Sequence, residues 1–141
     1  MDVQVWSGLT RLREVTDRLR PQLRSFRNEA GRELFDLPDA PRPDPDIPAP
    51  ARFLPEYDNL LLSHDDRSRF ASVAFAAPGP VHGTVLVDGF VGGTWARNGS
   101  TLVVAHTGAA TEELEAEGLQ LLRFLVPDAA DYDVRLTALA R

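Results

Sequence analysis

Three histidines, His64, His82 and His106, and the neighbouring carboxylates Asp65 and Asp66 are the residue types that hold a divalent metal. Their spacing does not compose a site: no His-x-x-x-His or His-x-Glu pair occurs, and each histidine falls beside an expected strand end or turn. Solvated imidazoles are the plainer account, so no metal is expected. Ser63-His64-Asp65 carries the letters of a nucleophile, a base and an orienting acid, yet adjacent side chains do not converge in space as a triad requires. The glycines between Gly89 and Gly93 lack the Gly-x-Gly-x-x-Gly spacing of a phosphate loop and read as turn or bulge positions. No catalytic residue and no cofactor is expected from these patterns.

Arginine is the chemistry that remains. All 15 cations are arginine and none is lysine, a composition that fits a GC-rich genome as well as guanidinium forks for phosphate. The net charge of −6 argues against a protein that coats nucleic acid along its whole length. The average hides a division: residues 1–32 hold seven arginines against four acids, net +3, leaving −9 for residues 33–141. A second group is Asp58 with Arg67 and Arg69, where an arginine fork either holds a phosphate or is fixed by the aspartate in a structural ion pair.

The length of 141 residues suits one domain of ordinary size, and 43% apolar and 26% charged residues are usual for a soluble globular chain. No apolar run is long enough to span a bilayer, so no membrane partner is expected. The absence of cysteine excludes disulfides and agrees with a reducing compartment; the expectation is the cytoplasm.

The elements that must position the arginines follow from periodicity. Asp2 to Trp6 predicts a short helix stopped by Ser7-Gly8, and Thr10 is placed to cap a second helix running to about Arg20, where Pro21 forbids continuation. Leu12, Val15 and Leu19 form that helix's apolar stripe, with Arg11, Arg13 and Arg18 off it. Leu23–Asn28 and Arg32–Leu37 predict a hairpin through Glu29-Ala30-Gly31. Between Pro38 and Pro55 seven prolines in 18 residues exclude any persistent strand or helix, and Ile47 and Phe53 are the side chains able to anchor this connector. Tyr57 and the following leucines read as a packed corner in which Asp58 caps a short turn.

Farther on, Gly83–Val87, Phe90–Ala96 and Ser100–Ala105, joined by Asp88-Gly89 and Asn98-Gly99, predict an antiparallel meander in which Trp95 lies mostly buried beneath the C-terminal helix. That helix follows Thr111 and ends near Val126, with Leu114, Leu121, Leu122 and Leu125 buried and four glutamates near its start. Tyr132–Leu139 closes the domain as a strand. The expected fold class is α+β: a partial winged helix (helix-turn-helix plus β-hairpin wing) over 1–37, a proline-rich connector over 38–52, and a small antiparallel β-barrel-like domain with a C-terminal helix over 53–141.

The run from Phe53-Leu54-Pro55-Glu56-Tyr57-Asp58-Asn59-Leu60-Leu61-Leu62-Ser63-His64-Asp65-Asp66-Arg67-Ser68-Arg69, followed by Gly83-Thr84-Val85-Leu86-Val87-Asp88-Gly89-Phe90-Val91-Gly92-Gly93-Thr94-Trp95, resembles the C-terminal signature of the winged helix DNA-binding domain family that includes the bacterial AlkZ/YcaQ-type DNA glycosylases. Asp2-Val3-Gln4-Val5-Trp6-Ser7-Gly8-Leu9 and Arg32-Glu33-Leu34-Phe35-Asp36-Leu37-Pro38 resemble the last winged helix and wing of that family. The resemblance implies tandem winged helices ahead of a C-terminal β-barrel, of which this chain corresponds to about the last third. It also implies a Gln-x-Gln or Gln-x-Asp motif in the upstream part, a spacing that Gln4, Gln22 and Gln120 do not have.

The resemblance makes Thr10, Arg11, Arg13, Arg18, Arg27 and Arg32 candidate DNA contacts on a recognition helix and wing, a solvated helix face being the alternative. The expected function is weak, sequence-independent binding of double-stranded DNA through backbone phosphates, without enzymatic activity. The alternatives are a structural or protein-interaction fragment, or one piece of a split glycosylase whose partner is a separate polypeptide carrying the upstream winged helices.

Overall fold

The computed structural model describes residues 2–64, 66–68, 70–71 and 83–139. Its contacts divide the chain into two compact units, Met1–Ile47 and Pro48–Arg141. The elements are α1 (Asp2–Ser7), α2 (Leu12–Leu19), a 3-10 turn (Arg20–Gln22), β1 (Arg24–Arg27), β2 (Glu33–Asp36), β3 (Arg52–Pro55), α3 (Asn59–Leu62), β4 (Gly83–Val87), β5 (Phe90–Asn98), β6 (Thr101–His106), α4 (Thr111–Leu125) and β7 (Asp133–Ala138). The α+β class expected from the sequence is the one observed.

In the first unit α2 starts one residue later than a cap at Thr10 requires. Arg11, not Thr10, is the N-cap, in the left-handed region at φ 61, and no side chain caps the helix. Placing Thr10 as the cap is corrected: the turn at Arg11 leaves its hydroxyl one residue too early to reach the first free N–H groups. Pro21 ends the helix, and the chain continues through the 3-10 turn into the β1–β2 hairpin, antiparallel with Arg24 opposite Asp36 and Arg27 opposite Glu33. Asn28 closes the hairpin, its side chain accepting from the Arg32 amide at 2.8 Å. None of the described residues of this unit is buried.

The second unit is a five-stranded sheet in the order β3-β4-β5-β6-β7, crossed on one face by α4. Register fixes which side chains share that face: Phe53 lies opposite Val85, Val85 opposite Gly93, Trp95 opposite Val104, Leu102 opposite Val134 and Val104 opposite Leu136. With Ala51, Leu114 and Leu122 these residues form the core, in which Val85, Leu102, Val104, Leu114 and Leu122 expose 0% of their surface. A fully buried leucine contributes roughly 1.5–3 kcal/mol over an exposed one. Gly118 permits the close approach of helix and sheet, since a Cβ there would lie 3.0 Å from Leu102 Cδ2 and 3.2 Å from Val134 Cγ1.

The sheet departs from the antiparallel barrel-like expectation in two ways. It is open, with β3 and β7 at its edges, and β7 runs parallel to β6 because α4 carries the chain back across the sheet before β7 begins. Both turns of the meander are present. Asp88 and Gly89 each have positive φ, 51 and 76, the pattern of a two-residue hairpin loop whose twist matches its strands. The second loop is shifted by one residue: Asn98 still pairs with Thr101, and Gly99, at φ 59, is the first loop residue. Gly92 is the extra residue of a β-bulge where the β4–β5 register shifts between Val85 and Leu86.

Three further expectations are corrected. A strand does form inside the proline-rich stretch: β3 is an edge strand, where the missing N–H of Pro55 removes no bond that the sheet requires. Ile47 is 59% exposed and lies outside the core, whereas Ala51 and Phe53 enter it. On α4 the buried stripe is Leu114, Gly118 and Leu122 at four-residue spacing, which leaves Leu125 exposed. Trp95 packs against the core and is mostly buried, as expected; its indole leans to the β3 edge, where Nε1 donates to the Leu54 carbonyl at 2.9 Å and the ring meets Phe53 edge-on at 6.0 Å.

Two substitutions test this packing by denaturant or thermal unfolding. Leu122→Ala is expected to destabilise the second unit by about 2–5 kcal/mol through reduced burial and the cavity left behind. Gly83→Ala is expected to disrupt the β3–β4 pairing, since its Cβ would stand 2.6 Å from Trp95 Nε1 and closer still to the Leu54 carbonyl oxygen. Its effect should exceed that of Gly99→Ala, where the space is open and only the left-handed backbone, about 1–2 kcal/mol, opposes the change.

Candidate nucleic-acid interface

The arginines of the first unit fall into groups that the sequence does not distinguish. Arg11, Arg13 and Arg32 are exposed, and no hydrogen bond or ion pair engages their guanidinium groups among the described residues. Arg18 and Arg27 each commit one N–H to a backbone carbonyl, Arg18 Nε to Glu14 at 3.3 Å and Arg27 to Gly31 at 2.9 Å, which leaves most of each fork available. Thr10 is exposed and lies immediately before Arg11. Arg11, Arg13 and Arg18 thus belong to α2 and its start, Arg27 and Arg32 to the hairpin.

Arg20 and Arg42 serve the fold instead. Arg20 donates to Glu33 Oε1 at 2.7 Å, lies 3.6 Å from Asp17 Oδ1, and holds its guanidinium 4.9 Å from the centroid of the Phe35 ring. The hydrogen bond to Glu33 and then the charges of Glu33 and Asp17 raise the Arg20 pKa above its ordinary value against the opposing effect of desolvation. Arg42 bonds Asp36 at 2.9 Å and the carbonyls of Leu37 and Pro38.

Arg24 is the residue that the sequence reading missed. Its guanidinium lies 5.3 Å from the centroid of Phe26, two residues along the same strand, and both side chains are exposed. The signal was present in the alternation of β1, which sets residues 24 and 26 on one face and residues 25 and 27 on the other.

Of the second group, the structure describes Asp58 and Arg67. Asp58 caps α3, its carboxylate accepting from the Leu60 amide at 2.8 Å, while Arg67 is exposed with no ion pair among the described residues. Arg69 lies outside the described residues, as do Asp65 and His82. His64 packs edge-on to Phe70 at 5.5 Å, and the Ser63 hydroxyl finds no hydrogen-bond partner among the described residues. His106 is 4% exposed, and its Nδ1 accepts from the Gly108 amide at 3.0 Å, which shapes the entry to α4. Among the described residues no three histidine or acidic side chains converge as a metal site, and no helix is long and apolar enough to cross a membrane.

The family described as DNA glycosylase AlkZ-like matches residues 1–124. Among solved structures, the Streptomyces sahachiroi DNA glycosylase AlkZ is similar in fold, with a TM-score of 0.55 and 23% sequence identity over 89% of this chain. The chain spans 36% of the length of that protein. No curated protein matches the chain. The expectation of a protein without enzymatic activity is overturned by the family match, because the family is one of DNA glycosylases. The missing glutamine spacing describes these 141 residues and does not remove the chain from that class. With the match extending over residues 1–124, the chain belongs to the AlkZ-like DNA glycosylase family.

Proposed function

We propose that this chain supplies DNA backbone contacts to an AlkZ-like glycosylase, with Arg11, Arg13, Arg18, Arg27 and Arg32 as the contacts, Thr10 beside them and Arg24 added to the set. The observation that carries this reading is the concentration of charge with availability: the net +3 segment 1–32 also holds Arg11, Arg13 and Arg32, three exposed guanidinium groups with no partner among the described residues, whereas Arg67 and Arg123, equally exposed, lie in the net −9 remainder. In this reading residues 1–37 are the partial winged helix, 38–52 the connector and 53–141 the acidic domain that stays away from the polyanion. Asp58 is assigned to structure rather than to a phosphate-binding fork, since its carboxylate is already engaged as a cap.

Binding by the chain alone is weak and largely independent of sequence. Base readout needs a recognition helix held rigidly in the major groove, and no described residue of Met1–Ile47 is buried to provide that rigidity. Phosphate contacts need only positive charge near a backbone.

A second reading is favoured by the exposure of Val3, Val5, Trp6, Leu9, Val15 and Leu19, 40–68% each. These side chains suit packing against the family's other winged helices, whether in one protein or in a separate polypeptide of a split glycosylase. Addition of such a polypeptide is expected to raise duplex affinity and the melting temperature together; no change in either rejects this second reading.

The primary reading is tested by duplex affinity measured against salt. Arg11→Ala with Arg13→Ala is expected to weaken binding equally on unrelated sequences and to flatten the slope of log K against log salt by roughly 0.9 for each phosphate no longer neutralised. Unchanged affinity in the double variant, or weaker binding to one sequence alone, overturns the assignment.

A further inference from the structure

Among the hydrogen bonds and ion pairs of the described residues, one joins the helical segment 2–22 to the β1–β2 hairpin: Arg20 with Glu33, at 2.7 Å. The same guanidinium reaches Asp17 on α2 at 3.6 Å and lies over the Phe35 ring at 4.9 Å. Glu33 and Phe35 are alternate residues of β2 and therefore share one face of the hairpin. Ser25 and Arg27, their cross-strand partners, lie on the same face, while Arg24, Phe26, Leu34 and Asp36 lie on the other.

A single exposed ion pair adds little to global stability. Here, however, no buried side chain of the unit is available to set the angle between helix and hairpin. Three groups from two elements converge on one planar cation, so orientation is what this contact controls.

We propose that Arg20 is a positioning residue: it latches the hairpin to the end of α2 and so fixes the spacing between the available guanidinium groups of Arg11 and Arg13 and those of Arg24 and Arg32. Its own fork is engaged by Glu33 and Asp17 and takes no phosphate. This inference rests on the DNA-contact reading above for its purpose, but the latch has a signature of its own.

The decisive variant is Glu33→Ala. It removes a negative charge from the DNA-binding segment, so simple electrostatics makes it bind duplex DNA more tightly; the latch makes it bind more weakly. A loss of about two- to fivefold is expected, the factor that an exposed ion pair commands, with the salt slope unchanged. Arg20→Ala is expected to lose a similar factor, also without a change of slope. Tighter binding by Glu33→Ala, or a slope reduced by about 0.9 in Arg20→Ala, overturns the proposal, the second because Arg20 would then be a phosphate contact itself.

Amide hydrogen exchange without DNA separates this inference from the reading on which it rests. Faster exchange at Glu33–Asp36 in both variants, with the unfolding midpoint of the second unit unchanged, supports the latch even if the parent chain binds no duplex at low salt. Parental exchange rates in both variants reject it whatever the DNA result.

Discussion

The contact of α4 with the sheet is the constraint on which the second unit depends. A five-stranded open sheet has one face that must be covered, and a single helix of 15 residues covers it. Gly118 sets the distance: without a side chain at that position, the helix comes down onto Leu102 and Val134, and Leu114 and Leu122 reach the sheet on either side of it. The helix is also tied at its margins. Arg52 of β3 pairs with Glu117 at 3.3 Å, and the Tyr132 hydroxyl donates to the Val126 carbonyl at 3.1 Å, so both edges of the sheet are referred to the same helix.

The first unit is built on the opposite principle. Its apolar side chains are at the surface, and what orders it is polar: the Asn28 closure of the hairpin, the Arg42 contacts that follow β2, and Arg20 between helix and hairpin. Such contacts are directional but weak in water. Charge and packing are therefore segregated along the chain. The acidic part carries the core, and the basic part carries Arg11, Arg13 and Arg32 without a partner among the described residues.

How much was legible in the sequence follows from the range of each interaction. Asp88-Gly89 dictates its hairpin because the φ preference acts within two residues, and Gly31 and Pro21 act as locally. The direction of β7 was not legible, since alternation marks a strand without naming its neighbour, and the crossover through α4 decides it. The stripe on α4 was half-read: Leu114 and Leu122 have the right period, but Gly118 is buried for its lack of a side chain, which no apolar pattern reveals. At the interface, composition located the basic segment but not the state of each guanidinium. Arg20 is neutralised by a residue thirteen positions away, while Arg24 is left at the surface. The enzymatic class was misjudged for a different reason: the absence of a spacing in this stretch was weighed above a family resemblance that spans most of it.

The parallel pairing of β6 with β7 also orders the assembly of the sheet in time. β4, β5 and β6 are joined by two-residue loops, and such hairpins close within microseconds because few bonds must be immobilised before strands meet. β7 reaches β6 only after residues 107–132 have been gathered, a loop whose entropy must be met before any ladder bond repays it. The meander is therefore a template that waits for its helix. Until α4 docks, the outer edge of β6 is open to any strand that arrives first, and the time spent in that state is set by how quickly α4 settles on the sheet.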